Sequence, residues 1–275
     1  MPDELLTRMF AAVDGYLALG NQVIDGPLAC FVRNTEAPNV YDANHVTRVR
    51  ARTPKEIDAV LSRADELMCE SRHRQFLVDP ATPPAFEARL ALEGYDCKLE
   101  LELVLDGELA TGPVPKGVAI RPVRTEADWA SLAQLFRMDH EEESQREGRE
   151  PLTPEVTRQV VLTKSWKAPA VAFFLASVKS TDCGFFSSWP GTNRMAKIED
   201  LFTHPDFRHR GIATALIRHC VDDARARGAR EVLIGADVDD TPKAMYAGLG
   251  FRPLCAIRSW LRSVQPTRAS DAQSQ

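Results

Sequence analysis

The apolar positions of this chain change period along its length. In the second half they first run continuously. PAVAFFLASV (Pro169–Val178) and CGFFSSW (Cys183–Trp189) carry the β-branched and aromatic residues of buried strands, and AKIEDLFTH (Ala196–His204) predicts a third. Across GIATALIRHCVDDARARG the spacing becomes helical. Ile212, Leu216, Ile217, Cys220 and Ala224 recur three or four residues apart, one apolar stripe that Gly228 can end. REVLIGAD predicts a fourth strand, TPKAMYAGLG a short helix with proline near its start, and FRPLCAIRSWL a last strand. Upstream, VAIRP predicts a strand, and Thr125 with Asp128 three residues on predicts a reciprocally capped helix start. Strands alternating with helices predict an α/β or α+β fold with a mixed sheet.

DGELATGPVPKG (Asp106–Gly117) clusters glycine and proline between apolar segments and predicts a linker. The expected organisation is a domain over 1–107, a second over 118–265, and a flexible, small and polar tail over 266–275. A weak internal repeat accompanies it. Residues 45–103 and 198–261 both read strand, helix, strand, Asp, proline, short helix, Leu-x-Gly-aromatic, strand. Where the second copy has DFRHRGIA the first has ARTPKEID, without glycine, and Leu90 stands where the second has Tyr246.

Composition narrows the class. The chain has 275 residues, a net charge of -5 and 44% hydrophobic residues, as a globular protein of one large or two modest domains would. No half is strongly basic, which argues against nucleic acid as a partner, and no apolar run is long enough to span a membrane. The start, MPDELLTRMF, is acidic and amphipathic, unlike a signal peptide. The six cysteines lie far apart with no CxxC pair, which argues against zinc and disulfides and for a reducing cytoplasm.

The candidate chemistry lies in DFRHRGIA (Asp206–Ala213). A helix N-terminus presents unsatisfied N–H groups and partial positive charge, and a glycine there lets an anion reach the main chain. Strand, Arg-x-x-Gly-x-Ala turn and helix therefore make a natural diphosphate cradle, to which Arg208, His209 and Arg210 add charge; a plain surface turn would have the same residues. With its context, IEDLFTHPDFRHRGIATALI (Ile198–Ile217) followed by AMYAGLGF (Ala244–Phe251), the sequence resembles the GNAT superfamily of N-acetyltransferases from about Val118 to Leu261.

The resemblance implies two GNAT-like folds in tandem, the first degenerate and without the cofactor loop. It implies transfer of an acetyl group from acetyl-CoA to a primary amine, of a small molecule or a protein, by direct attack in a ternary complex. Arg208, His209, Arg210, Gly211, Ile212, Ala213 and Thr214 would hold the pyrophosphate. Leu201, Phe202 and Thr203 would pair with the pantetheine arm as an added strand, with a main-chain N–H near Phe202 for the oxyanion. Tyr246 would protonate the leaving thiolate, and Glu199, which strand alternation turns away from Asp200, would accept the amine proton. Asp239 stands where the family often has asparagine, which puts a cofactor contact there in doubt. The acidic run Asp139, Glu141, Glu142 and Glu143 would attract a cationic amine or form a solvated face. His140 is the one histidine beside it, so no metal is expected. Tyr41, Asp42, Asn44 and His45 would form a local polar network or help wall an acceptor cleft. The alternatives are a non-catalytic acyl-CoA-binding sensor and a transferase for longer acyl chains. A monomer or a homodimer fits equally.

Overall fold

A computed structural model describes residues 2–110, 115–238 and 242–265. In chain order its first elements are α1 (Pro2–Ala18), β1 (Gln22–Asp25), β2 (Cys30–Arg33), β3 (His45–Thr47), α2 (Pro54–Leu67), β4 (His73–Val78), α3 (Pro84–Leu92) and β5 (Asp96–Leu105). There follow β6 (Val118–Pro122), α4 (Glu126–Arg146), α5 (Pro154–Lys167), β7 (Ala172–Val178), β8 (Thr181–Thr192), β9 (Met195–Thr203), α6 (Ile212–Ala226), β10 (Glu231–Asp237), α7 (Pro242–Gly248) and β11 (Arg252–Ser263). Every element read from the sequence between Val118 and Leu261 is present. The Thr125–Asp128 capping box opens α4, and Gly228, at φ 99°, follows α6. The segment Pro154–Lys167 is an additional helix. Its apolar and polar residues share no clean stripe, because Thr157, Gln159, Thr163, Lys164 and Lys167 are all buried.

Two compact units result, and they are not consecutive halves. One joins the chain up to Tyr16 with Glu102–Cys255; the other joins Leu17–Leu101 with the chain from Ala256 onward. This corrects the boundary expected at Asp106–Gly117, of which residues 111–114 lie outside the described residues, as does the tail over 266–275. The reason is strand partnership. In the first unit the sheet order is β6-β7-β8-β9-β10-β5; in the second it is β1-β2-β3-β4-β11. The end of β11 pairs antiparallel with β4, Arg258 opposite Val78 to Ser263 opposite His73. The end of β5 lies beside β10. A proline- and glycine-rich connection is visible locally, whereas the neighbour a strand chooses is not.

Within each unit a strand, a helix and a parallel strand follow in order: β3-α2-β4 and β9-α6-β10. The first unit's core lies between α6 and the sheet, where Ile212, Leu216, Ile217, Cys220, Val221 and Ala224 are all buried, and Phe185 stacks between Phe136 and Phe202 at 4.3 and 5.7 Å. In the second, Phe76 meets Phe86 and Tyr95 edge-on at 5.3 and 5.5 Å. Asn44 ties its own loop there, donating to Ala37 and Val40 carbonyls and accepting from the Asn34 N–H, so this part of the polar cluster is a local network.

The β8–β9 hairpin turns at Gly191, whose φ is 73° and whose added Cβ would collide with the Met195 carbonyl. Gly191→Ala should therefore lower unfolding stability by about 3 kcal/mol, read from the urea midpoint; a midpoint within error of wild type would show that the hairpin absorbs the clash.

Candidate active site

The site is built where two parallel strands part. β9 and β10 are in register from Met195–Ile198 against Glu231–Ile234. Both continue beyond that ladder, β9 to Thr203 and β10 to Asp237. On its other side β9 pairs with β8, Phe202 opposite Phe185 and Glu199 opposite Ser187, so one extra residue sits on β9. Asp200 lies in this bulge at φ 67°. Thr203 Oγ1 is buried with no hydrogen-bond partner among the described residues.

After β9 the chain makes one 3-10 turn, Pro205–Phe207, capped by His204, whose Nδ1 accepts from the Asp206 N–H at 3.2 Å. It then enters α6 through two left-handed residues, His209 at φ 60° and Gly211 at φ 77°. Gly211 is the N-cap and offers no side-chain acceptor to the first turn. Helices α2, α4 and α5 are instead each capped by a threonine: Thr53, Thr125 and Thr153. The main-chain donors and helix dipole at the opening of α6 therefore have no side-chain cap, and the Pro115 ring lies beside Gly211, 3.4 Å from where a Cβ would stand. Of the flanking arginines, Arg208 donates through Nε to the Thr203 carbonyl and grips Glu142 through both terminal nitrogens at 2.7 and 2.5 Å. Arg210 donates to the Asp206 carbonyl and lies over the Phe207 ring.

Beside the parting strands lies a cluster of buried charge. Lys197 Nζ reaches Glu102 Oε1 at 2.7 Å and Glu199 Oε1 at 2.5 Å. Burial works against the Lys197 ammonium, but the two carboxylates outweigh it and hold its pKa above the ordinary lysine range. Burial pushes the Glu199 carboxyl up, Lys197 pulls it back, and Asp200 and Glu102 push it up again, leaving it above the usual glutamate range. Asp200 accepts from Lys164 Nζ at 2.8 Å and from the Tyr16 hydroxyl at 3.5 Å. Lys167 Nζ stands 3.9 Å from the Tyr16 ring centroid. Burial, with Glu143, Asp200 and Glu142 nearby, pushes Asp139 up to about 7.

The model of the Acetyltransferase (GNAT) family matches residues 129–251. An aminoglycoside N(6')-acetyltransferase type 1 of Acinetobacter genomosp. 13 is 30% identical over 126 residues, 46% of this chain and 83% of that protein. The chain belongs to the GNAT family of acetyltransferases. An uncharacterized N-acetyltransferase of Methanocaldococcus jannaschii is 34% identical over 100 residues, 34% of this chain; the match spans 44%, less than half, of that relative's length. In fold, a GCN5-related N-acetyltransferase from Kribbella flavida superposes with TM-score 0.65 at 13% identity, over 98% of this chain and 97% of that one. A tandem GNAT protein from the clavulanic acid biosynthesis pathway gives 0.57 at 17%, over 89% and 82%. The fold is two GNAT-like folds in tandem, as expected.

In this GNAT fold Leu201, Phe202 and Thr203 end β9, Arg208, His209 and Arg210 fill the turn, and Gly211, Ile212, Ala213 and Thr214 open α6, all in one continuous stretch with Glu199. Glu199 shares a face with Lys197, as alternation requires, but alternation does not run through the bulge at Asp200. Tyr246 stands on α7, 4% exposed, its ring 6.2 Å from Phe251. Asp239 lies outside the described residues. The acidic run is not an open attractor: Glu141 pairs with Arg137, Glu142 with Arg208 and Glu143 with Arg149. His140 is buried, its Nδ1 2.9 Å from Thr157 Oγ1, and burial holds it down at about 4. Sequence reading missed Tyr16, Glu102, Lys164 and Lys197. Lys197 and Glu102 had a faint signal, each a charge within a strand-forming apolar run.

Asp200→Asn keeps a residue that tolerates left-handed backbone but removes the charge facing buried Lys164. Unfolding stability should fall by about 3 kcal/mol in urea titration; an unchanged midpoint would mean that the pair contributes nothing net.

Proposed function

We propose that this chain is an acetyl-CoA-dependent N-acetyltransferase that acts on a primary amine by direct attack in a ternary complex. The observation that carries the reading is the uncapped, left-handed Gly211 entry to α6 at the end of a strand that has parted from its parallel neighbour. The residues present suit the cofactor. The first-turn N–H groups of α6 from Gly211 to Thr214 have no side-chain cap to displace before meeting a pyrophosphate. Arg208 and Arg210 are exposed at the turn, and Arg208 would exchange Glu142 for phosphate oxygens. Leu201–Thr203 offers main chain beyond the end of the ladder, and the unpartnered Thr203 hydroxyl is a further polar contact for an amide-bearing arm.

Acetyl-CoA supplies the thioester-bound acetyl group. The main-chain N–H near Phe202 is the donor for negative charge developing on the acyl oxygen. Glu199 is the general base. Its raised pKa makes it a better proton acceptor than an ordinary glutamate, and Asp200, held by Lys164 and Tyr16, is already committed. Tyr246 is the general acid that returns a proton to the departing sulfur. The acceptor is a primary amine, and an aminoglycoside belongs among the amines tested because of the Acinetobacter relative's name. The Leu17–Leu101 part is a degenerate copy without a cradle. Its corresponding helix, α2, is closed by its own side chains, Thr53 Oγ1 accepting from the Glu56 N–H and Glu56 Oε2 from the Thr53 and Arg52 N–H groups.

Calorimetric titration with acetyl-CoA, dephospho-CoA and pantetheine should give micromolar binding that weakens with each truncation, and Gly211→Glu should abolish it while leaving the circular dichroism intact. Undiminished acetyl-CoA binding to that variant would remove the cradle from consideration. Tyr246→Phe should lower turnover by about 10²-fold or more with little change in acetyl-CoA affinity; a wild-type rate would reduce Tyr246 to a packing residue.

A further inference from the structure

Lys197 needs one counter-ion and has two. Glu102 and Glu199 each place Oε1 on its ammonium, at 2.7 and 2.5 Å. The Lys197 and Glu102 side chains are 5% and 3% exposed, and Glu199 is 27% exposed. One ammonium and two carboxylates give the trio itself one excess negative charge in a poorly solvated place, which a structural ion pair does not require. Glu102 Oε2 is buried with no hydrogen-bond partner among the described residues, a cost that packing alone gives no reason to bear. The three charged ends also converge on one point. A Cβ built on Gly235, the first β10 residue past the ladder, would lie 3.6 Å from Glu199 Oε1, 3.7 Å from Glu102 Oε1 and 3.8 Å from Lys197 Nζ. The missing side chain leaves all three facing the place where β9 and β10 part.

We propose that Glu102 is a positioning residue for proton uptake by Glu199: it shares Lys197, so that Glu199 is not locked into a neutral ion pair, and the trio takes its proton at the most open member. This rests on the reading of Glu199 as the general base. In the step, an N–H bond of the acceptor's ammonium breaks and an O–H bond forms on Glu199. The nitrogen keeps the electron pair for attack, and the trio passes from one excess negative charge to none. Around Glu199 the other charged or titratable groups include Asp200 on β9 and Tyr16 on α1, with Lys164 on α5 held on Asp200 and Lys167 of the same helix over the Tyr16 ring. Cys255 on β11 faces Glu102.

The test is carbon-13 NMR of the side-chain carboxyls of the full chain, with the Glu199 signal assigned from Glu199→Gln and followed across pH in wild type and Glu102→Gln. Without the second carboxylate, Lys197 belongs to Glu199 alone, and the Glu199 midpoint should fall by about one pH unit or more. A Glu102 of purely structural role would lower thermal stability and leave that midpoint where it is, which would overturn the proposal, as would a rise. Should the variant not fold, wild type still decides, because coupled carboxylates titrate together. The Glu102 signal must move through the Glu199 midpoint, and a flat response there overturns the coupling. The underlying reading is tested separately by Glu199→Gln turnover with acetyl-CoA and a panel of primary amines. Full turnover overturns the general-base role whatever the titration shows; lost turnover with an unmoved midpoint overturns Glu102 alone.

Discussion

The parallel ladder between β9 and β10 stops at Ile198 and Ile234 while both strands continue. Parallel strands ordinarily satisfy their main-chain groups along their shared length, and a pair that separates leaves polar backbone exposed at its split end. The left-handed bulge at Asp200 marks the same stretch, because an inserted residue bends its strand and strengthens its twist. What lies next in the chain follows from that geometry. The turn from His204 to Gly211 returns the chain into α6 beside the split, so the main-chain groups of β9 and the open helix end share one region.

The two units differ at the helix that follows their parallel strand, one opening capped and the other not. Both units carry strand, helix and parallel strand. Thr53 and Glu56 occupy the donors at the opening of α2, and a proline fixes its first turn. At the opening of α6 a glycine in the left-handed region supplies no acceptor. A threonine-glutamate box is the more stable way to begin a helix, worth about a few tenths of a kcal/mol over a glycine cap. Leaving α6 uncapped is a local loss of stability, one that the proposed pyrophosphate contact would offset.

The same trade recurs in the buried charges. Lys164 and Lys197, both close to fully buried, face Asp200, Glu102 and Glu199 within one unit. Apolar residues of similar volume would commonly hold such positions with equal or greater stability. Charges kept in a poorly solvated place raise or lower one another's proton affinity by far more than they could in water.

The sequence by itself determined the elements from Val118 to Leu261, the Thr125–Asp128 cap and the continuous stretch from Glu199 to Thr214, because each depends on periodicity and neighbours a few residues away. Helix α5 escaped notice because its buried positions include lysine, threonine and glutamine, whose partners come from elsewhere in the fold. The pairing of Glu142 was equally invisible, since Arg208 is distant along the chain, whereas Glu141 and Glu143 take arginines four and six residues away, Arg137 and Arg149. Only tertiary structure decided that the end of β5 would lie beside β10 and bring Glu102 to Lys197, and that Tyr16 would reach Asp200. Strand choice is settled by which edges remain unpaired once the rest has folded, and no local pattern encodes it.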